Sequence, residues 1–184
     1  VERPASIVKE LLENSIDAKS SSVTVEIKNG GIDIIRVTDN GEGIAHEEVK
    51  KAFLRHATSK ITGENDLLSI KSLGFRGEAL SSISAISRCE MITKTRDELT
   101  GIRYLIEGGE EIAFEEVGAP DGTSIIIRDI FYNTPARRKF LKTSSTEGAH
   151  ISDLVEKMAM SNPRISFKFI SNNQTKLQTN VCFL

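Results

Sequence analysis

The sequence predicts an α+β fold in which helices cover one face of a mostly antiparallel, mixed sheet. Three observations support this prediction: an amphipathic helical pattern at the start, a β-hairpin pattern directly after it, and a later run of alternating segments joined by glycine-containing turns. At 184 residues the chain is long enough for one domain with a substantial core. We expect that domain to span residues 1–170, and residues 171–184 to be a linker or the truncated start of a second domain.

The first element is a helix. Pro4 suits a first helical position, and the apolar residues after it recur at helical spacing. Glu10 and Asn14 lie one turn apart on the polar side of this helix, with Asn14 at the margin of the apolar face. On periodicity alone, that side would be an ordinary solvated surface. A hairpin follows, with strands at residues 23–28 and 32–38.

Asp39 follows the second hairpin strand and has the same parity as the apolar Ile35 and Val37, so its carboxylate points toward the core side. A carboxylate in that position needs hydrogen-bond donors, and the glycine-rich residues 40–43 form a loop open enough to admit a ligand that supplies one. The alternative is that Asp39 caps a turn before two glycines, which is a very common use of aspartate. Both interpretations remain open from the sequence.

A short amphipathic helix is predicted at residues 46–54, followed by a long polar connection up to Ser72. Connections of this length within a compact domain are often lids or binding loops. Gly74 and Gly77 then frame an arginine and lead into a helix predicted at residues 78–87. A helix start offers unpaired N–H groups that can hold a phosphate, although a glycine-bounded turn before a helix is more often only a turn.

The second half of the chain alternates between strand and helix patterns. A short basic helix is predicted at residues 136–142, an amphipathic helix at 146–160 and a last strand at 165–170. The four strands before them continue the sheet of the first hairpin. These strands are predicted at residues 89–96, 101–107, 111–117 and 123–129.

Composition excludes several classes of function. A net charge of −2 and a pI near 6.0 do not suggest a dedicated nucleic-acid binder. No apolar run approaches the roughly 20 residues that cross a bilayer, so we expect an intracellular protein without membrane contact. Neither a P-loop motif nor a histidine pair at metal-ligand spacing is present. Any DNA contact must come from a local basic patch, although the same residues could simply satisfy a helix end. That patch consists of Arg137, Arg138, Lys139 and Lys142.

The remaining polar residues can together bind and cleave a nucleoside triphosphate. Glu10 can deprotonate an attacking water, and Asn14 offers a neutral oxygen to Mg²⁺. Asp39 can accept a hydrogen bond from an exocyclic amine, which favours adenine over guanine. The backbone of residues 74–80 can hold the phosphates, with Lys60 and Arg76 as candidate charge partners.

These residues lie in motifs that resemble those of a known superfamily. The ATP-binding motifs of the GHKL superfamily are similar, in order, to Glu10-x-x-x-Asn14, Asp39-x-Gly41-x-Gly43, Gly74–Leu80 and Gly122-Thr123. Within that superfamily, longer strings resemble the MutL family of DNA mismatch-repair proteins. These strings are Val1–Ser6, Arg55–Lys60, Gly74–Leu80 and Phe131–Leu141.

The resemblance implies a Bergerat (GHKL) ATPase fold, a two-layer sandwich. It implies that Glu10 is the general base, Asn14 the Mg²⁺ ligand and Asp39 the adenine contact. It also implies a lid, a phosphate cradle and a threonine that closes the base pocket. The residues for these parts, with the glycines after Asp39, are Gly41, Gly43, Thr58, Ser59, Lys60, Gly74, Phe75, Arg76, Gly77, Glu78, Ala79, Leu80 and Thr123.

For the whole protein, the resemblance implies that ATP binding and slow hydrolysis drive N-terminal dimerisation with itself or a related MutL chain. Dimerisation would coordinate a MutS-type mismatch-recognition protein with downstream repair, with weak, non-specific DNA binding. The family also has an N-terminal arm and a ribosomal S5-like domain that supplies a lysine, so weak hydrolysis is expected from these 184 residues alone. The expected location is the cytoplasm or nucleoid in a bacterium, or the nucleus in a eukaryote.

Two alternatives stay open at this point. The chain could be another GHKL ATPase of the topoisomerase or chaperone type, or a DNA-binding scaffold in which the nucleotide matters little.

Overall fold

The computed structural model describes residues 2–54 and 77–181, which form one eight-stranded sheet with helices packed against it. The helices are α1 (Pro4–Asp17), α2 (His46–Val49), α3 (Gly77–Ala85), α4 (Pro135–Arg138) and α5 (Ser144–Ser161). The strands are β1 (Ser22–Lys28), β2 (Ile34–Asp39), β3 (Arg88–Lys94), β4 (Gly101–Glu107), β5 (Glu110–Val117), β6 (Gly122–Arg128), β7 (Ser166–Ser171) and β8 (Gln174–Gln178).

The strand order is β5-β4-β3-β6-β2-β1-β7-β8. β1 is the strand that has one antiparallel and one parallel neighbour. It pairs antiparallel with β2 and parallel with β7, while the other pairs in the described sheet are antiparallel. The predicted α+β fold with a mostly antiparallel, mixed sheet is therefore confirmed. The domain boundary expected at residue 170 stays a prediction.

One face of the sheet is buried because alternate residues of the central strands are apolar. The hydrophobic core joins these residues to the apolar stripe of α1 and to parts of α3 and α5. Cys89 belongs to this core, where burial raises the pKa of its thiol to about 12. Among the described helices, none is both long and apolar enough to cross a membrane. Side chains with at most 2% exposure in this cluster include Ile7, Val8, Leu11, Leu12, Val23, Val25, Ile27, Ile35, Val37, Met91, Phe167 and Phe169.

Two predicted helices are shorter in the structure. The segment predicted as a helix at 46–54 is split into α2 and a 3₁₀ turn at Lys51–Phe53. The basic helix predicted at 136–142 ends at Arg138, and the amides of Phe140 and Leu141 donate to carbonyls three residues back. One turn of helix has few internal hydrogen bonds to offset its nucleation cost, so α4 does not extend.

The chain after β7 turns back as a hairpin and adds β8 to the edge of the sheet. Asn172 and Asn173 have φ angles of 48° and 66°, which is the left-handed conformation that a tight two-residue hairpin turn requires. Asparagine tolerates this conformation better than most residues.

The N-terminus of α5 packs directly on the turn between β1 and β2. Gly30 in this turn has a φ of +65°, and a Cβ atom there would overlap the Ser144 carbonyl oxygen. Thr143 caps the helix by accepting a hydrogen bond from the Thr146 amide at 3.3 Å. A glycine at position 30 therefore allows α5 to approach the sheet beside α1.

On the sheet face away from the main core, Glu90 links three strands. Its Oε1 accepts from Arg103 Nε at 2.8 Å and its Oε2 accepts from Arg128 Nη1 at 2.9 Å. Burial by itself raises the pKa of Glu90, but the hydrogen bonds from the two arginines outweigh it, and the pKa lies below the ordinary value. The carboxylate therefore stabilises the pairing of β3 with β4 and β6 while it is ionised.

The lowered pKa predicts an acid-dependent loss of stability. The contribution of Glu90 should be fully present above the unfolded-state pKa of about 4.3 and should be lost as the pH falls through the lower folded-state pKa. Glu90→Gln should lower the free energy of unfolding by about 1–3 kcal/mol at pH 7 and weaken its dependence on pH below about 4.3. Urea unfolding at pH 7 and at acidic pH measures both effects.

A matched control is Glu107→Gln, because the Glu107 carboxylate is partly exposed and lies 3.9 Å from Arg88. That variant should stay within about 0.5 kcal/mol of the parent protein. Equal stability of the parent protein and Glu90→Gln at pH 7 would show the role given to Glu90 to be wrong.

Candidate functional site

The candidate site lies where α1 passes the end of β2. Ser15 Oγ, on the inner side of α1, donates to Asp39 Oδ2 at 2.8 Å. The other carboxylate oxygen, Asp39 Oδ1, accepts from the Gly41 amide at 2.9 Å and from the Thr123 amide at 3.3 Å. Asp39 therefore joins a helix, a loop and strand β6. The turn-capping interpretation is confirmed, because Oδ1 accepts from the Gly41 amide, and the carboxylate faces the helix layer as its parity predicts. Its role toward a ligand stays a prediction.

The hydrogen-bonding capacity of Asp39 leaves room for a further donor. An ionised carboxylate has about four lone-pair positions, two on each oxygen. Among the described residues three of these positions are used, and the fourth belongs to Oδ2. Because Asp39 is only half-buried, a ligand N–H can reach that position. The arrangement suits a small polar N–H group better than another acceptor.

The loop after Asp39 is held closely on two sides by backbone. A Cβ atom on Gly41 would lie 2.7 Å from the Ala18 carbonyl oxygen, at the end of α1. Gly43 has a φ of +72°, and a Cβ there would overlap the Lys94 carbonyl oxygen at the end of β3. Glycine is needed at both positions because the backbone of another element comes too close to leave room for a side chain. The loop spans the gap between α1 and β3.

Two further contacts fix the loop and the strand beside it. Asn40 Oδ1 accepts from the amides of Ser21 and Ser22, each at 2.9 Å, which ties the loop to the start of β1. Gly122 has a φ of +113°, and a Cβ there would overlap the Asp39 carbonyl oxygen. The start of β6 can therefore come close enough to Asp39 for the Thr123 amide to reach the carboxylate.

Glu10 and Asn14 are both half-buried on α1, one turn apart, and Asn14 directly precedes Ser15. Within residues 2–54 and 77–181, neither side chain has a hydrogen-bond partner. A neutral amide oxygen suits Mg²⁺, which usually keeps waters and phosphate oxygens as its other ligands. The described residues contain no cluster of three or more His, Cys, Asp or Glu that could hold a metal. Asn14 fits a site of that kind, in which the protein supplies one ligand.

The first turn of α3 contains four of the predicted cradle residues: Gly77, Glu78, Ala79 and Leu80. The Leu80 side chain is buried in the hydrophobic core, so only its backbone can face a ligand. The other predicted lid and cradle residues lie outside the described residues. These are Thr58, Ser59, Lys60, Gly74, Phe75 and Arg76.

The C-terminal end of α3 is anchored by two turns. The Phe131 amide donates to the Ile86 carbonyl at 2.7 Å, and Asn133 Nδ2 donates to the Ala85 carbonyl at 2.9 Å. The Gly109 amide, from the turn between β4 and β5, donates to the Ser84 carbonyl at 3.0 Å. These bonds satisfy carbonyls that a helix end leaves unpaired, and they fix the helix in position.

Three contacts of this site, those of Ser15, Gly122 and Thr93, do not follow from the sequence pattern. Ser15 lies in the apolar stripe of α1. The only indication of its role in the sequence is a hydroxyl at a core position directly after Asn14. Gly122 was noted as part of a motif but not as a contact of Asp39. Thr93 is buried in β3, where it shares parity with Cys89 and Met91.

A second surface, here called the basic segment, comprises residues 135–142. Among the described residues no ion pair involves its cationic side chains, and its charged residues are exposed. Phe140 lies among them with 85% of its surface exposed. The basic segment contains Arg137, Arg138, Lys139, Phe140 and Lys142.

Comparison with known proteins gives the family. The profile of the family described as histidine kinase-, DNA gyrase B- and HSP90-like ATPases matches residues 2–119. The DNA mismatch repair protein MutL of Agathobacter rectalis is 68% identical over 179 residues, which cover 97% of this chain. The MutL protein of Clostridium tetani is 51% identical over the same share of the chain.

Solved structures agree with this comparison. The Aquifex aeolicus MutL ATPase domain complexed with ADP matches with a TM-score of 0.82 and 34% identity, over 100% of this chain and 66% of that one. The N-terminal domain of a DNA repair protein matches with a TM-score of 0.81 and 27% identity, over 98% of this chain and 53% of that one.

This chain spans 28% of the length of the Agathobacter protein and 29% of the Clostridium protein. The part matched by the family profile contains the motifs that Glu10, Asn14 and Asp39 belong to, and Thr123 follows it. The chain belongs to the histidine kinase-, DNA gyrase B- and HSP90-like ATPases, and within them it is a MutL-type ATPase region.

Proposed function

We propose that this chain binds ATP with Mg²⁺ and hydrolyses it slowly, as the ATPase region of a DNA mismatch-repair protein. The main support is the Asp39 carboxylate, which keeps one acceptor position open, among the residues that the structure describes, beside the helix that contains Glu10 and Asn14. A nucleotide whose base lies at Asp39 and whose phosphates extend toward α3 would use both parts of the site.

Recognition of adenine is assigned to Asp39. The exocyclic amine of adenine donates hydrogen bonds, whereas guanine has a carbonyl oxygen at the same position. An acceptor-only carboxylate with one open lone pair therefore favours adenine, and the oxygen of guanine would be repelled. Gly41, Gly43 and Thr123 enclose this end of the site.

Hydrolysis is assigned to α1. Glu10 would accept the proton of the attacking water, which requires an ionised carboxylate within hydrogen-bond reach of that water. Asn14 would hold Mg²⁺, whose charge neutralises the phosphate oxygens when it is bound. Glu10 and Asn14 are both half-buried on α1. This position suits both roles because it limits the access of bulk water to the general base and to the Mg²⁺ ligand.

The phosphates would be held by the N-terminal turn of α3, where Gly77–Leu80 present backbone N–H groups. Gly74, Phe75 and Arg76 precede that turn in sequence and complete the proposed cradle. Thr58, Ser59 and Lys60 are proposed to form part of a lid over the nucleotide.

For the whole protein we propose dimerisation upon ATP binding, with an identical or a related chain. The dimer would coordinate a MutS-type mismatch-recognition protein with downstream repair. The curated relatives carry the mismatch-repair name and are bacterial, which favours a location in the bacterial cytoplasm or nucleoid.

Weak, non-specific DNA binding is assigned to the basic segment. Cationic side chains that are exposed and free of ion pairs within the described structure can contact phosphates and release counterions. The exposed Phe140 adds an aromatic ring that could stack on an unpaired base. The overall charge of −2 means that binding depends on this local patch.

Glu10→Ala tests the assignment of the general base. It should lower the steady-state rate of ATP hydrolysis in the full-length protein by about a hundredfold or more, because the proton acceptor is lost. The dissociation constant for ATP, measured by calorimetry, should change less than about threefold. Glu156→Ala, on the surface of α5, is the control and should leave both values unchanged. A Glu10→Ala protein that hydrolyses ATP at the parent rate would exclude the proposed role.

Asp39→Asn tests recognition of the base. The amide nitrogen would place a donor against the amine of adenine or against Ser15, so ATP affinity should fall at least about tenfold. The preference for ATP over GTP should shrink in the same variant. Asp153→Asn on α5, where Asp153 pairs with Lys157, is the matched control. An unchanged ratio of ATP to GTP affinity would contradict the assignment.

Charge reversal tests the basic segment. Arg137→Glu with Arg138→Glu should weaken DNA binding by about tenfold or more at low salt, and it should reduce the slope of log affinity against log salt by about 2. Fluorescence anisotropy with a labelled duplex and a labelled single strand measures both. Lys176→Glu removes an exposed cation outside the segment and should have a smaller effect. An equal loss of DNA affinity in the double variant and in Lys176→Glu would argue against a defined DNA-binding patch.

A further inference from the structure

Thr93, a fully buried threonine of β3, lies in line with two residues of the proposed base pocket. In the sheet register Thr93 is opposite Thr123 on β6, and Thr123 is opposite Asp39 on β2. The three side chains therefore form a row across three adjacent strands, on the face that the helices cover. Asp39 and Thr123 are assigned to the pocket, whereas Thr93 has no assigned role.

The hydroxyl of Thr93 makes three short contacts. Thr93 Oγ1 accepts from the Ile44 amide at 2.9 Å, and Ile44 ends the loop that begins after Asp39. It also lies 3.2 Å from the Gly122 carbonyl oxygen and 2.8 Å from Thr123 Oγ1. A hydroxyl has one proton and two lone pairs, so it cannot donate to Gly122 and Thr123 at the same time.

Two hydrogen-bond arrangements satisfy this geometry. In the first, Thr93 donates to the Gly122 carbonyl, and Thr123 donates its own proton to Thr93. In the second, Thr93 donates to Thr123 Oγ1, and the Thr123 proton is left to point into the pocket. The direction in which Thr93 donates thus decides whether Thr123 can donate to a ligand.

The second arrangement complements the acceptor at Asp39. On the edge of adenine, the amine that donates is next to a ring nitrogen that accepts. If the amine donates to Asp39, a donor is needed beside it, either in direct contact or through one water. With the Thr93 hydroxyl in place, Thr123 supplies that donor, held in a fixed direction, only when Thr93 donates its proton to Thr123.

We propose that Thr93 is a specificity-determining positioning residue of the ATP site. It acts through two neighbours: it directs the Thr123 hydroxyl toward the adenine edge, and it holds the loop of residues 40–44 through the Ile44 amide. This inference rests on the proposed function, because it assumes that adenine occupies the pocket beside Asp39.

Thr93→Val removes the hydroxyl with little change of shape and leaves the Ile44 amide and the Thr123 hydroxyl without this partner. In the full-length protein, the dissociation constant for ATP should rise about tenfold, as expected when one buried hydrogen bond is lost. The hydrolysis rate at saturating ATP should stay within about twofold, because Glu10 and Asn14 on α1 are untouched. The preference for ATP over GTP should fall, and Thr93→Ser should retain the parent values.

Thr38→Val is a closely matched control. Thr38 Oγ1 lies 2.9 Å from Ser124 Oγ, so this pair also joins β2 to β6 through hydroxyls, one position along and on the opposite face. Thr38→Val should lower stability somewhat, yet leave the ATP dissociation constant and the ATP to GTP preference unchanged. A loss of affinity equal to that of Thr93→Val would mean that weakened strand pairing explains the effect, and would overturn the inference.

Hydrogen exchange of the nucleotide-free protein gives a readout that does not depend on ATP. Mass spectrometry of the peptide containing Ile44 should show exchange at least about tenfold faster in Thr93→Val than in the parent protein or in Thr93→Ser. Unchanged exchange would overturn the part of the inference that concerns the loop.

The outcomes separate this inference from the proposed function. Parent-like ATP affinity and base preference in a folded Thr93→Val protein would overturn the role of Thr93 alone. A parent protein that does not bind ATP would overturn the proposed function, and the role of Thr93 with it. If Thr93→Val does not fold, Thr123→Val replaces it. That variant should lose ATP affinity without faster exchange at Ile44, and unchanged affinity would overturn the inference.

Discussion

The hydrogen bonds of the Asp39 carboxylate are the interaction on which the arrangement of the site depends. A carboxylate that is half-buried needs donors, and here they come from three separate parts of the chain: a helix, a loop and a strand. Satisfying one side chain therefore fixes the position of α1 relative to β6. Glu10 and Asn14 are placed by the same bond, because they are on the helix that Ser15 ties to Asp39.

Backbone packing makes this arrangement possible. Gly43 approaches the Lys94 carbonyl, and Gly122 approaches the Asp39 carbonyl, so closely that no side chain would fit. The walls around Asp39 are thus made largely of main chain, whose geometry is set by the sheet. A side chain could adopt other rotamers, whereas the backbone that surrounds Asp39 is held in place by the close packing of the sheet.

Much of the fold could be predicted from the sequence because its signals are local. The parity of Asp39 with Ile35 and Val37 already places the carboxylate on the helix-covered face, and the glycines after it indicate close approach. Ser15 and Thr93 could not be found in this way. Each is one hydroxyl at a buried position, and its partner is fixed only by strand register and by helix packing across the sheet. The short length of α4 does not follow from the sequence either, because hydrophobic periodicity does not show how few hydrogen bonds stabilise a single helical turn.

The position of β1 has a consequence for how the chain acquires its structure. β1 pairs with β2, which follows it within a few residues, and with β7, whose partner residues are more than a hundred positions later. During synthesis the strand that ends in Asp39 can form its hairpin early, but β1 keeps an open edge until β7 emerges. Closing so long a segment is slow, and an unpaired edge can associate with other chains in the meantime. Formation of the β1–β2 hairpin and protection of that edge are therefore separated in time, and the last described strands, β7 and β8, complete the sheet.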